Sequence, residues 1–116
     1  MQLPLPCLAA LALAVSILAP AAPLRASAEG DDLRAADAEL NTVYQRTFDE
    51  TPGFEAKEKL RAAQRAWIAY RDAEVALYAA LGTGGGGQKI IQTELTTERT
   101  KRLRGIAQDA RDGTVQ

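Results

Sequence analysis

The side chains best suited to chemistry gather in residues 62–74, a stretch that holds the single Trp and ends in Arg71-Asp72-Ala73-Glu74. Two carboxylates can act as acid and base in glycoside hydrolysis when they face each other across one bond. Asp72 and Glu74 are two residues apart on a predicted helix, so they point to different sides. The chain has no His, and its one Cys is Cys7, which excludes Ser–His and Cys–His pairs and the usual zinc ligands. The sequence therefore predicts no enzyme, no catalytic residue, no metal and no cofactor.

Glu74 lies on the apolar side of the same predicted helix. A carboxylate buried there needs a cation beside it, because an unpaired charge is costly in an apolar interior. Arg71 and Arg99 are the available cations. We therefore expect a buried ion pair at Glu74 that sets the register of the helices.

The helix that carries this stretch is predicted to be the central one. Its apolar face repeats at alternating steps of three and four residues, the period of an α-helix, at Leu60, Ala63, Trp67, Tyr70, Glu74, Leu77 and Leu81. A second row widens the buried stripe, at Gln64, Ile68, Arg71, Val75 and Tyr78. Such a broad face must pack against at least two neighbours.

Periodicity and turn residues predict three helices, at about 31–48, 52–81 and 88 to 109 or 111. No stretch alternates as a strand would. Thr51 is the expected N-cap of the second helix, with Pro52 as its first residue, and Gly82 is its expected C-cap. The fold class is therefore all-α, a small antiparallel three-helix bundle.

A run of four glycines separates the second and third predicted helices, at Gly84, Gly85, Gly86 and Gly87. Consecutive glycines are costly to order, so we expect a flexible connector. The run lacks the spacing of a phosphate-binding loop, and no Lys-Ser/Thr follows it. Its second expected role is a loop that contacts a partner.

The N-terminal stretch is predicted to be a secretory signal peptide. Residues 8–19 are apolar and uncharged, Pro20 and Pro23 follow, and Ala26-Ser27-Ala28 is a small-x-small cleavage site. We expect residues 1–28 to be removed after Ala28, leaving residues 29–116 as one periplasmic or secreted helical domain without a stable membrane anchor. The alternatives are an uncleaved anchor and, less favoured because Cys7 precedes the apolar run, a lipoprotein.

The charge balance excludes one class of partner. The chain has 14 basic and 15 acidic residues, a formal net charge of −1, so it lacks the basic surface that nucleic-acid binding requires. Acidic residues gather near the start of the first helix, at Glu29, Asp31, Asp32, Asp37 and Glu39, and basic residues in the third helix. We interpret both groups as solvated helix faces.

Three motifs occur in order along the predicted helices: Leu40-Asn41-x-x-Tyr44, then Gln64-x-x-Trp67-x-x-Tyr70-Arg71-Asp72, then Leu95-Thr96-x-x-Arg99-Thr100. In this order the chain resembles the LprI family, small exported bacterial proteins named for a mycobacterial lysozyme inhibitor. The resemblance covers about residues 37–104. It marks nine residues as structural or binding positions: Asn41, Tyr44, Gln64, Trp67, Tyr70, Arg71, Asp72, Arg99 and Thr100.

The resemblance implies an exported helical protein that binds a lysozyme and inhibits it. Under this hypothesis the acidic residues of the first helix steer the encounter with a cationic lysozyme, while the glycine run approaches its cleft. The alternative is a non-inhibitory interaction module of the cell envelope with another protein as its target. Such a module predicts an apolar patch that the bundle leaves uncovered, around Tyr78 or Phe54.

Overall fold

The computed structural model describes residues 21–113, with side chains from Ala28 onward, and contains three long α-helices. These are α1 (Ala21–Glu50), α2 (Phe54–Ala80) and α3 (Gly84–Asp112). Over these residues there is no strand, which confirms the all-α fold. α2 runs antiparallel to both neighbours, whereas α1 and α3 run parallel and pack against each other more extensively than α2 packs against either.

The core lies mainly between α1 and α3. Its buried apolar side chains are Leu40, Val43, Leu60, Leu103 and Ala107, and only Leu60 comes from α2. Three threonines are buried among them, Thr47, Thr96 and Thr100. The Thr47 hydroxyl donates to the Leu103 carbonyl across the interface (3.2 Å), and the Thr100 hydroxyl donates to the Thr96 carbonyl (2.9 Å). Small buried side chains allow α1 and α3 to approach closely.

The α1–α2 link differs from the prediction. Thr51 does not cap α2: its hydroxyl donates to the Thr47 carbonyl at the end of α1 (2.7 Å). Gly53 holds a positive φ of 82° and precedes the first helical residue, so α2 begins after Pro52, not at it. Lys57 donates to the Phe48 carbonyl (2.5 Å), which places a cation at the negative end of α1.

The α2–α3 link is a tight cap. Gly82, at φ 83°, donates to the Ala79 carbonyl (3.0 Å), and Thr83 donates to the Tyr78 carbonyl (3.3 Å). This pair of bonds is a Schellman motif, so the predicted C-cap role of Gly82 is confirmed. The link between the helices is only Leu81-Gly82-Thr83.

The four glycines are not a flexible connector, because α3 begins at Gly84 and the run forms its first turn. A Cβ at Gly86 would lie 2.7 Å from the Glu29 carboxylate of α1, and a Cβ at Gly87 would lie 2.7 Å from Thr83. Glycine therefore costs helix propensity here but allows α1 and the preceding link to approach the turn. The predicted connector was wrong because the sequence does not show this tertiary contact.

α1 is longer than predicted, since it begins at Ala21 and continues through Ala28 without a break. Residues 1–20, most of the predicted signal peptide, lie outside the described residues, and cleavage after Ala28 stays a prediction. Within residues 21–113, no helix is both long enough and apolar enough to cross a membrane.

Candidate functional site

The central stretch of α2 divides into an inner and an outer row. Gln64, Trp67 and Arg71 are half-buried against the other helices, whereas Tyr70 and Asp72 are exposed. The helical period explains this division, because residues three and four apart share a face. The expectation that Tyr70 belongs to the buried face is wrong, since its side chain is 53% exposed.

The inner row ties α2 to α3 through Gln64 and Arg99. The Arg99 Nε donates to the Gln64 Oε1 over 2.9 Å. Burial lowers the pKa of the Arg99 guanidinium, nearby Arg102 lowers it further, and Tyr44 opposes the change. Arg99 still carries its charge at neutral pH, because a guanidinium titrates far above it. In the described residues its buried Nη2 has no acceptor, so the hydrogen-bond donors of the guanidinium are only partly satisfied.

A second inner cluster surrounds Arg71. Its guanidinium lies over the Trp67 ring, 5.2 Å from the centroid, and pairs with Asp72 at 3.1 Å and with Asp37 of α1 at 3.9 Å. The buried ion pair expected at Glu74 is absent from residues 21–113, where Glu74 is half-exposed. Asp37 provides the charge that was assigned to Glu74, because α1 brings it beside the Arg71 side chain.

The remaining motif residues do not form one site. Tyr44 packs against the buried core. Thr100 is buried in it. Asn41 lies exposed on α1. The structure therefore brings Gln64 and Arg99 into one interior contact, with Tyr44 close enough to influence the Arg99 charge, and Trp67 with Arg71 into another. These residues hold the three helices together, and Asn41, Tyr70 and Asp72 remain accessible.

The acidic residues of α1 are largely compensated. Asp31 pairs with Arg34 (2.8 Å), Asp37 with Arg71, and Glu39 with Arg104 of α3. Asp32 is exposed and forms no ion pair within residues 21–113. Because exposed ion pairs leave little net charge, the long-range field of this surface is weaker than the sequence suggests.

At one end of the bundle, an exposed apolar side chain is followed by exposed backbone, with a carboxylate nearby. We call Leu81–Gly85, together with Glu29, the link end. Leu81 is 68% exposed, and the four residues after it are exposed. The Glu29 carboxylate lies against Gly86 in the first turn of α3. The expectation that Leu81 belongs to the buried face of the second helix is wrong, since its side chain is 68% exposed. The sequence places Glu29 in the acidic group near the first helix, and the fold brings it beside the start of α3.

The opposite end has an apolar groove between the start of α2 and the end of α3. Its volume is about 890 Å³. Leu60, Ala63, Ile106 and Ala110 contribute its apolar walls, and Phe54 stands at its edge, 80% exposed. The expected apolar patch around Phe54 is therefore present.

The fold and the positions of these residues define a small all-α domain in which the motif residues join the helices, while both ends expose apolar groups. Its sequence matches the family described as Lysozyme inhibitor LprI over residues 23–103. The chain belongs to the LprI family. That description names an inhibitor, not a catalyst.

One curated relative is an uncharacterized protein of Rhizobium meliloti (strain 1021). It is 37% identical over 95 residues, which cover 68% of this chain and 68% of the relative. No solved structure matches the chain.

Proposed function

We propose that this protein binds and inhibits a lysozyme through the link end. Membership of the lysozyme inhibitor LprI family is the observation that carries this proposal. The link end is the favoured surface because six of the nine motif residues are used inside the bundle, whereas Leu81 and the following glycines combine an exposed apolar side chain with exposed backbone.

The chemistry of the link end suits an enzyme cleft. A protruding apolar side chain enters a concave site and loses water there, as the central contacts of inhibitor interfaces do. The exposed glycines let the partner approach the backbone closely. Glu29 adds a carboxylate at this end, against Gly86, and Asp32 lies exposed further along α1; such carboxylates attract the cationic surface of host-defence lysozymes.

Electrostatic steering is a secondary contribution in this proposal. Asp31, Asp37 and Glu39 are already paired with arginines of the same chain. Asp32 is the acidic residue of this group without an ion pair among the described side chains. We therefore expect inhibition to fall only modestly as salt screens the remaining charge.

The proposal includes export. The apolar stretch before Ala28 and the small residues at the cleavage site favour removal of residues 1–28 and release into the periplasm or medium. Mass spectrometry of the protein recovered from the cell envelope tests this, since Glu29 is the expected first residue. A recovered chain that retains its N-terminal segment would overturn it and leave the anchored form.

The test of binding measures lysozyme digestion of bacterial cell walls with increasing amounts of residues 29–116, after circular dichroism has verified helical folding. Leu81→Ser should weaken inhibition roughly tenfold, because a protruding apolar contact at an interface centre contributes about 1–2 kcal/mol. The matched control is Phe54→Ser, an equally exposed apolar residue at the opposite end. Its inhibition should equal that of the unchanged chain.

Absence of inhibition by a folded chain, across animal and bacterial lysozymes, would overturn the proposal. Inhibition that Phe54→Ser weakens and Leu81→Ser leaves intact would move the binding surface to the groove. The groove favours the second candidate, an envelope interaction module, because it offers apolar walls to a protein segment. Binding of an envelope protein that Phe54→Ser abolishes, without lysozyme inhibition, would support that function.

A further inference from the structure

The outer face of α2 is a long surface of mostly small apolar side chains that the other helices leave exposed. It carries two large exposed side chains, Tyr70 (53%) and Leu77 (50%). Between them and along the helix lie exposed alanines spaced by four and three residues, Ala62, Ala66, Ala69, Ala73, Ala76 and Ala80. This spacing follows the seven-residue repeat with which one helix packs along another. Two unlike charges border the face, Arg65 and Asp72.

We propose that this face packs against the same face of a second copy, with the two α2 helices antiparallel. Arg65 and Asp72 lie seven residues apart along one side of the face. In an antiparallel pair related by a two-fold axis, that side of one helix faces the same side of the other. Arg65 then pairs with Asp72 of the second copy, and Asp72 pairs with its Arg65. The two-fold symmetry thus gives the dimer two Arg65–Asp72 ion pairs.

The large and small side chains agree with this register. It places Tyr70 opposite Ala63 of the second copy and Leu77 opposite Ala56, while alanines meet along the centre, Ala66 with Ala69 and Ala62 with Ala73. A large side chain opposite a small one fills the space between helices without overlap. Alanines at the centre let the two backbones approach closely.

The neighbouring registers are disfavoured by charge. A shift by one repeat in one direction places Asp72 opposite Asp72, and a shift in the other direction places Arg65 opposite Arg65. Like charges directly opposite each other destabilise a helix pair. In a parallel pair, Arg65 and Asp72 would face Tyr70 and Leu77 instead of each other. Charge complementarity therefore favours one orientation and one register.

The available area predicts a weak dimer. α2 has 27 residues and is about 40 Å long, and facing helices contact each other over a strip about 10 Å wide. Two such strips bury on the order of 1,000 Å², the lower limit for specific interfaces. Arg65 has no ion pair among residues 21–113, so its charge is available. Asp72 pairs with Arg71 through its Oδ1, but its side chain is 63% exposed, so the carboxylate can accept a second cation. We expect dimerisation at micromolar concentrations.

Analytical ultracentrifugation tests the dimer on protein expressed from the complete sequence and purified as the cell leaves it. The mass should rise from monomer to dimer with concentration. Arg65→Asp should raise the dimer Kd roughly tenfold or more, because both ion pairs become repulsive. The charge swap Arg65→Asp with Asp72→Arg should restore the dimer. Arg46→Asp, an exposed arginine on α1, is the matched control and should leave the dimer unchanged.

Cysteine pairs test orientation and register. In a Cys7→Ser background, oxidation of Ala62→Cys mixed with Ala73→Cys should give a disulfide-linked dimer, because these residues face each other in the proposed register. Either variant alone should not crosslink, since its two thiols lie roughly 16 Å apart along the helices. A parallel dimer would reverse this pattern and overturn the proposal.

A protein that stays monomeric up to roughly 100 µM would also overturn it, because the proposed dimer is expected to form at micromolar concentrations. So would a dimer that Arg65→Asp leaves intact. If Arg65→Asp weakens lysozyme inhibition in a protein that is monomeric throughout, the face belongs to the lysozyme contact instead. The dimer requires no lysozyme, so failure of the proposed function leaves this test unaffected.

Discussion

The two interfaces of the bundle differ in how they are built. Between α1 and α3, the contact is buried and consists of aliphatic side chains and threonines, with Leu103, Thr47 and Thr96 fully inaccessible. Among the described side chains of α2, only Leu60 is buried, and Trp67 packs against the core while partly exposed. The other contacts of α2 with its neighbours include polar and charged ones, Gln64 with Arg99 of α3 and Arg71 with Asp37 of α1.

This difference shows that most of the apolar burial lies between α1 and α3, whereas the motif residues of α2 join it to that pair. Apolar burial contributes about 1.5–3 kcal/mol for each large side chain, whereas a partly exposed polar contact contributes about 1 kcal/mol. α1 and α3 therefore form the stable pair, and α2 is held more weakly. We expect amide hydrogens of α2 to exchange at lower opening free energy than those of α1 and α3.

The largest effect should come from the α1–α3 core. Leu103→Ala removes a fully buried side chain and leaves a cavity, so the free energy of unfolding should fall by about 3 kcal/mol. The matched control is Leu77→Ala on the outer face of α2, which should change it by less than about 1 kcal/mol at concentrations where the chain is monomeric. Urea unfolding followed by circular dichroism measures both, and equal effects would contradict the comparison.

The next effect tests the polar contact of α2. Gln64→Leu removes the acceptor of the Arg99 Nε and leaves a half-buried guanidinium with fewer partners, so stability should fall by about 1–3 kcal/mol. The double mutant Gln64→Leu with Arg99→Met should lose less stability than the sum of the two single changes. The reason is that Arg99→Met removes the charge that Gln64→Leu leaves without its acceptor. A double-mutant cycle gives the coupling, and full additivity would show that the contact contributes nothing.

Valine substitutions at two threonines of the core should change the stability of the fold in opposite directions. The Thr96 hydroxyl is buried without a partner in the described chain, so Thr96→Val should stabilise the fold by about 1 kcal/mol. Thr47→Val breaks the bond to the Leu103 carbonyl and should destabilise it by about 1 kcal/mol. Melting temperatures separate the two. Destabilisation by Thr96→Val would indicate that its hydroxyl does have a partner.

The smallest effect is expected at Arg71. Arg71→Met keeps packing against Trp67 but removes the cation over the ring and the ion pairs with Asp37 and Asp72, so stability should fall by about 0.5–1 kcal/mol. The loss should diminish at high salt. Trp67 fluorescence should shift, since a charge near the indole is removed, whereas the exposed Arg46→Met control should leave it unchanged.

The number, class and order of the helices could be predicted from the sequence, because apolar residues recur at the helical period and turn residues separate them. The α1–α3 core could not, since three of its fully or nearly buried side chains are threonines, which sequence patterns treat as polar. The glycine run was taken for a connector because its low propensity is visible while the contact with Glu29 is not.

The candidate site was predictable only in part. The motif residues Gln64, Trp67, Arg71 and Arg99 indeed gather, but inside the bundle. Glu74 was assigned the charge that Asp37 provides, since a helical repeat gives the face of a residue but not the neighbour that tertiary packing brings to it. The composition of the link end could not be predicted, because it depends on the parallel arrangement of α1 and α3, which no local sequence pattern indicates.

That parallel arrangement has a consequence for the order of events during synthesis. α1 leaves the ribosome first, yet its principal partner, α3, leaves last, and the Thr47 hydroxyl must find the Leu103 carbonyl 56 residues later. Contacts at such separations form late, because the intervening chain must first be ordered. We therefore expect the nascent chain to keep its first helix undocked until α3 has been synthesised. Under the proposed export, this delay keeps the chain unfolded while it enters the export channel.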